Sequence, residues 1–220
     1  MMLKSGDKIR IALSKGSLLV KTLEVLRDCG YDIAPIKAEN RQLYFFDGDV
    51  EFIVARAADV PTYVMYGAAD LGFVGKDVLM EGAYDLFELL DLGYGRCKFV
   101  VAGPKEKTSS IDEDYRRLGQ VRVATKFPSV AAEFFEKKGI QVELIKLYGS
   151  LELAPLVGLS DVIVDLMSTG RTLKENNLKV IDEIETVSCR LIANYVSDKL
   201  KSSKIQEVIS KIEKSISSTT

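Results

Sequence analysis

The residues best suited to chemistry lie in one stretch, DVIVDLMSTGRTLKENNL, from Asp161 to Leu178. Within it the small polar loop Met167-Ser168-Thr169-Gly170-Arg171-Thr172 joins a short β-branched run (Val162, Ile163, Val164, Leu166) to a helix-forming segment, Leu173 to Asn177. The run favours a buried parallel strand. A loop of small residues at that junction leaves several backbone N–H groups unpaired, and a helix dipole behind them makes an anion site. Gly170 permits positive φ and lets a ligand approach the backbone. The competing reading is an ordinary strand-to-helix turn in which Thr169 or Thr172 caps its own helix.

Asp165 adds a second function to the loop. It stands among Val164 and Leu166 at the carboxyl end of the strand, where an unpaired carboxylate is costly to bury. In open α/β sheets that end faces the ligand crevice. A carboxylate for hydroxyls or a metal, followed by a loop for phosphate, matches the layout of phosphoribosyl compounds. The alternative is that Asp165 pairs with a neighbouring backbone N–H or with a lysine.

Composition narrows the chemistry further. The 220 residues include no histidine, which excludes Ser-His-Asp and Cys-His hydrolysis and His-ligated metals. Carboxylates, Lys, Arg, Tyr and backbone dipoles remain. A net charge of −2 argues against nucleic acid or a membrane surface as partner, so bound phosphates must meet local cations. No apolar run reaches the length of a membrane span, and Ser5, Gly6, Asp7 and Lys8 interrupt any signal-peptide core. Cys29, Cys97 and Cys189 are odd in number and widely spaced, which suits neither a disulfide framework nor a zinc site. A cytoplasmic location is expected.

The elements that must position these residues alternate between strand and helix. Strands are expected at Ile9–Leu13, Leu71–Val74, Cys97–Ala102, Val121–Thr125 and Val142–Leu147, with a hairpin from Gln42–Asp47 and Glu51–Ala55. Helices are expected at Gly16–Asp28, Val60–Tyr66 and Pro128–Lys138, and in a C-terminal stretch whose Leu200, Ile205, Val208, Ile209, Ile212 and Ile216 form one apolar stripe. The segment Gly103–Arg117 reads as polar surface. The class is α/β with mainly parallel sheets. GAADLGFVGKDVL (Gly67 to Leu79) echoes GLSDVIVDLMSTGRTL (Gly158 to Leu173), through duplication or through chance similarity of two strand-helix units. Duplication would make Gly75-Lys76-Asp77 a counterpart loop.

Three long stretches carry a resemblance to a known family. IRIALSKGSLL, VARAADVPTYVMYGAADLGFVGKDVLME and GSLELAPLVGLSDVIVDLMSTGRTLKENNL are similar to the short form of ATP phosphoribosyltransferase, and the match spans nearly the whole chain. The resemblance implies two lobes of the periplasmic-binding-protein (type II) kind around a central cleft, residues 1–94 plus 184–220 and residues 95–183. It implies transfer of the 5-phosphoribosyl group of phosphoribosyl pyrophosphate (PRPP) to N1 of ATP, the first step of histidine biosynthesis. It also implies Mg²⁺, held mainly by substrate phosphates. A separate regulatory subunit related to histidyl-tRNA synthetase is implied, in a homodimer or hetero-oligomer, because the chain ends too early for the long form's regulatory domain.

Within that frame Ser168, Thr169, Gly170, Arg171 and Thr172 would hold the 5′-phosphate of PRPP. Asp165 would face its ribose hydroxyls or the metal, and Glu152, at a helix start, would join it. Arg56 ends a strand, where a buried guanidinium needs an anionic partner. Lys15 and Gly16 follow the first strand and Arg41 precedes the hairpin; with Arg56 they are candidates for the phosphates of ATP and pyrophosphate. Arg56, Glu152 and Asp165 are the expected catalytic set. Rival functions are a solute-binding protein and a ligand-sensing domain of the same fold that binds PRPP or nucleotide without turnover.

Overall fold

Short β-branched strands alternating with amphipathic helices build two sheets in the computed structural model, which describes residues 8–37, 39, 41–106 and 109–217. Ser5, Gly6 and Asp7, which bear on the signal-peptide reading, lie outside the described residues, as do 107 and 108 of the polar segment. In chain order the first strands and helices are β1 (Ile9–Lys15), α1 (Leu19–Asp28), β2 (Tyr44–Asp47), β3 (Val50–Arg56), α2 (Val60–Met65), β4 (Leu71–Gly75), α3 (Lys76–Glu81) and β5 (Phe87–Asp91). Next come β6 (Cys97–Pro104), α4 (Ile111–Leu118), β7 (Val121–Thr125), α5 (Pro128–Lys137), β8 (Val142–Lys146), α6 (Leu153–Leu156), β9 (Val162–Met167), α7 (Arg171–Glu175) and β10 (Leu178–Val187). The chain closes with β11 (Cys189–Ala193), α8 (Tyr195–Leu200) and α9 (Ser202–Ser217).

The chain clusters into unit 1 (Met1–Leu79, Ala83–Gly95, Ser188–Thr220) and unit 2 (Met80–Gly82, Arg96–Val187). β10 runs through the position between 183 and 184, because Thr186 and Val187 still pair with Lys98 and Cys97. Unit 1 holds the sheet β2-β3-β1-β4-β11-β5 and unit 2 the sheet β10-β6-β9-β7-β8. These sheets are mixed, which corrects the expectation of mainly parallel ones. β1 pairs in parallel with β3 and β4, and β7 with β8 and β9. The remaining pairs are antiparallel, since β10 and β11 return from one sheet to the other by a short link and β2–β3 is a hairpin.

Each sheet is buried by its own helices. In unit 1 Ile11, Leu13, Phe52, Phe73 and Leu191 are fully buried, and the α9 stripe of Ile205, Val208, Ile209 and Ile212 packs on them. Every such side chain removed from water contributes about 1.5–3 kcal/mol. In unit 2 the alternation along β9 sends Val162 and Val164 into one core cluster and Ile163 into another, shared with Ala154, Leu173 and Leu178. Most of α4 (Ile111–Leu118) lies in the polar segment 103–117, and a capping box between Ser110 and Glu113 starts it.

Candidate active site

Alternation decides where Asp165 goes. It follows Ile163 by two places, so it belongs to the β9 face that α6 and α7 cover. Its Oδ1 accepts the N–H of Leu166 at 2.8 Å, so the backbone-paired alternative holds for one oxygen. The residue nevertheless lines a 240 Å³ pocket together with Glu152 and the loop from Leu166 to Leu173. Glu152 comes there because it is the residue preceding α6, and it caps nothing with its side chain. Burial pushes the Asp165 carboxyl above the usual range; the Leu166 N–H opposes this, the Glu152 charge adds to it and Lys126 opposes it.

The loop departs from a self-capping turn. Gly170 is the N-cap of α7 with φ 74°, and no side chain caps the helix. Thr169 Oγ1 receives only a long contact from Arg171 N–H, 3.4 Å, and Thr172 lies inside the helix. Among the described residues the N–H groups of Ser168, Thr169, Gly170 and Thr172 find no acceptor. With only five residues α7 is too short for much dipole, so the polarity at this end of β9 comes from the loop's own unpaired amides. The helix also starts earlier than Leu173 and ends at Glu175. A Cβ on Gly170 would adopt a left-handed backbone and crowd Met167 Sδ at 3.3 Å. Arg171 is exposed and among the described residues its side chain reaches only Glu175, at 3.7 Å.

The remaining expected residues are all in unit 1. Register pairs Lys15 with Arg56 at the carboxyl ends of β1 and β3, and Gly16 follows with φ 115°. Arg56 is exposed and makes no ion pair among the described residues, which overturns the burial argument made for it: the strand ends before the side chain is covered. Arg41 is exposed in the segment before β2, and no contact among the described residues joins it to Lys15 or Arg56. The counterpart loop Gly75-Lys76-Asp77 does not form, because α3 begins at Lys76 directly after β4. Sequence reasoning missed Lys126, whose charge acts on Asp165. The signal was available, since Thr125-Lys126 ends its strand as Ser14-Lys15 ends the first.

The fold defines the class first: an α/β protein of the periplasmic-binding-protein type II kind, with an uncapped backbone loop at the end of β9. The fold alone is shared with the periplasmic aliphatic sulphonate binding protein SsuA from Escherichia coli, at a TM-score of 0.61 and 14% identity over 96% of this chain and 72% of that one. The profile of HisG: ATP phosphoribosyltransferase matches residues 56–214. An ATP phosphoribosyltransferase of Citrifermentans bemidjiense is 48% identical over 96% of this chain and 99% of its own length. One from Syntrophomonas wolfei is 50% identical over 94% of this chain and 95% of its own length. The ATP phosphoribosyl transferase (HisG:HisZ) complex from Thermotoga maritima superposes at a TM-score of 0.81, with 36% identity over 95% of this chain and 98% of that one. The chain belongs to the ATP phosphoribosyltransferase family. It transfers the 5-phosphoribosyl group of PRPP to N1 of ATP, giving N1-(5-phosphoribosyl)-ATP and pyrophosphate, the first step of histidine biosynthesis.

Proposed function

We propose that unit 2 is the PRPP lobe and that residues of unit 1 meet the phosphates of ATP and contribute to holding the leaving pyrophosphate. The amides of Ser168, Thr169, Gly170 and Thr172 hold the 5′-phosphate, and Arg171 adds one exposed contact. Asp165 and Glu152 hold the ribose hydroxyls and face the positive charge that develops at C1. Lys15, Gly16 and Arg56 meet the other phosphates, with Arg41 as an outlying contributor. The observation that carries this reading is the uncapped loop with unpaired amides in one pocket with two carboxylates.

The reaction needs no protein nucleophile, in keeping with the absence of histidine. The N1 lone pair of adenine forms the new bond to C1 as the bond to pyrophosphate breaks with its electron pair. The chain contributes positioning of two polyanions and a fixed field. Mg²⁺ would be held mainly by the substrate phosphates, where it would neutralise charge on the departing pyrophosphate, and no step here depends on it.

We also infer assembly with a HisZ-type regulatory subunit, as a homodimer or hetero-oligomer, in the cytoplasm. The composition of the Thermotoga maritima HisG:HisZ complex supports the first, and among the described residues no helix is long and apolar enough to cross a membrane. Steady-state constants for PRPP test the loop. Arg171→Ala is expected to cost about tenfold in kcat/KM, one charge-assisted contact, and Gly170→Val about a hundredfold or more. A larger loss from Arg171→Ala would refute the backbone cradle.

A further inference from the structure

We propose that Lys126 is a further PRPP-binding residue, whose ammonium meets the diphosphate on C1 of the ribose. The proposal rests on the reading of the loop given above. Lys126 follows Thr125 at the end of β7, and Thr125 pairs in register with Val164. Lys126 is therefore level with Asp165, one strand over. Its backbone is held on both sides: Thr125 Oγ1 donates to Val164 O at 2.8 Å and accepts the Phe127 N–H at 2.9 Å. The side chain is exposed, with its ammonium 5.9 Å from the Phe127 ring centroid, and forms no ion pair among the described residues. Lys98, Lys137 and Lys138 of the same unit are each tied to a carboxylate.

Two further observations point to a ligand. The loop pocket is lined as far as Asp165 and Glu152, and Lys126 is outside that lining, on the strand beyond. PRPP carries its groups in the matching order: a phosphate for the loop, ribose hydroxyls for the carboxylates, then a diphosphate for the cation. Unit 1 repeats the device independently, since Ser14 Oγ donates to Phe73 O at 2.7 Å and is followed by Lys15. A hydroxyl that locks the strand and a lysine that ends it recur where a polyanion is handled.

Calorimetric titration of the whole chain with two partial ligands tests this. Ribose 5-phosphate carries only the 5′-phosphate, and inorganic pyrophosphate only the diphosphate. Lys126→Gln is expected to weaken pyrophosphate binding, and to raise KM for PRPP, by about tenfold. Affinity for ribose 5-phosphate should not change, Lys126→Arg should recover most of the loss, and thermal unfolding should match the parent because the side chain is exposed. Unchanged pyrophosphate and PRPP constants in Lys126→Gln would overturn the proposal, as would an equal loss for ribose 5-phosphate. The loop reading fails on a different result, an affinity for ribose 5-phosphate that Gly170→Val leaves intact.

Discussion

The start of β4 in unit 1 and the start of β9 in unit 2 are built alike. Asp70 N–H donates to Arg10 O at 2.9 Å while Asp70 Oδ2 accepts Arg10 N–H at 2.8 Å. Asp161 and Arg122 make the same reciprocal pair, at 2.9 Å in both directions. One residue further on, Ile11 is opposite Leu71 and Val123 is opposite Val162. This agreement in hydrogen bonds accompanies the sequence echo between residues 67–79 and 158–173. The two regions then diverge at the carboxyl end. Val74, fully buried, stands where unit 2 has Asp165, and β4 enters its helix at once where β9 first passes through Ser168, Thr169 and Gly170. What separates the two regions is one side chain, Asp165 against Val74, and a short uncapped loop.

The largest effect should come from the shared hub, which is buried to different depths. Asp70 also accepts from Ser197 Oγ at 2.6 Å and Lys201 Nζ at 2.9 Å and is 4% exposed. Asp70→Ala leaves a partly buried ammonium without its carboxylate and is expected to cost about 3–5 kcal/mol in denaturant unfolding. Asp161 is more accessible, with 22% of its side chain exposed and that of Arg122 at 41%. Asp161→Ala should cost only about 1–2 kcal/mol. Equal losses would mean that the aspartates serve a common backbone role and that burial adds nothing.

A smaller effect separates Asp165 from Val74 by its charge. Burial raises the Asp165 carboxyl, so folding disfavours its ionised form. Where both folded and unfolded chains hold it protonated the penalty is absent; it grows as pH rises past the ordinary carboxylate range and is complete above the folded pKa. Asp165→Asn is therefore expected to raise the melting temperature near neutral pH, with the gain vanishing in acid, while kcat/KM for PRPP falls. Thermal scans across pH check the first part. A pH-independent change would show that the stability effect is one of shape and not of charge.

Much of unit 2's site was legible because it is local in sequence. Strand, acid, small-residue loop and glycine follow one another from Val162 to Thr172, and Glu152 is marked by its position before a helix. What was not legible depends on which strand lies beside which. Lys126 becomes a neighbour of Asp165 only through the β7–β9 pairing, and Arg10 and Arg122 join the hubs only through the sheets. The antiparallel return of β10 against β6 links residues 178–187 to 97–104, and nothing in either segment announces it. The exposure of Arg56 turns on where β3 stops, which its apolar run leaves open. α4 was readable from Ser110 and Glu113, but the surrounding charges hid the capping box.

On our proposal the backbone amides of the β9–α7 loop bind the 5′-phosphate of PRPP. Amide proton and nitrogen shifts, followed while ribose 5-phosphate is added to the ¹⁵N-labelled chain, test it most directly. Saturable shifts centred on Ser168, Thr169, Gly170 and Thr172 are expected, with Gly75 and Lys76 at the matching end of β4 unmoved. Shifts centred on unit 1, or a loop that stays silent at saturation, would contradict it.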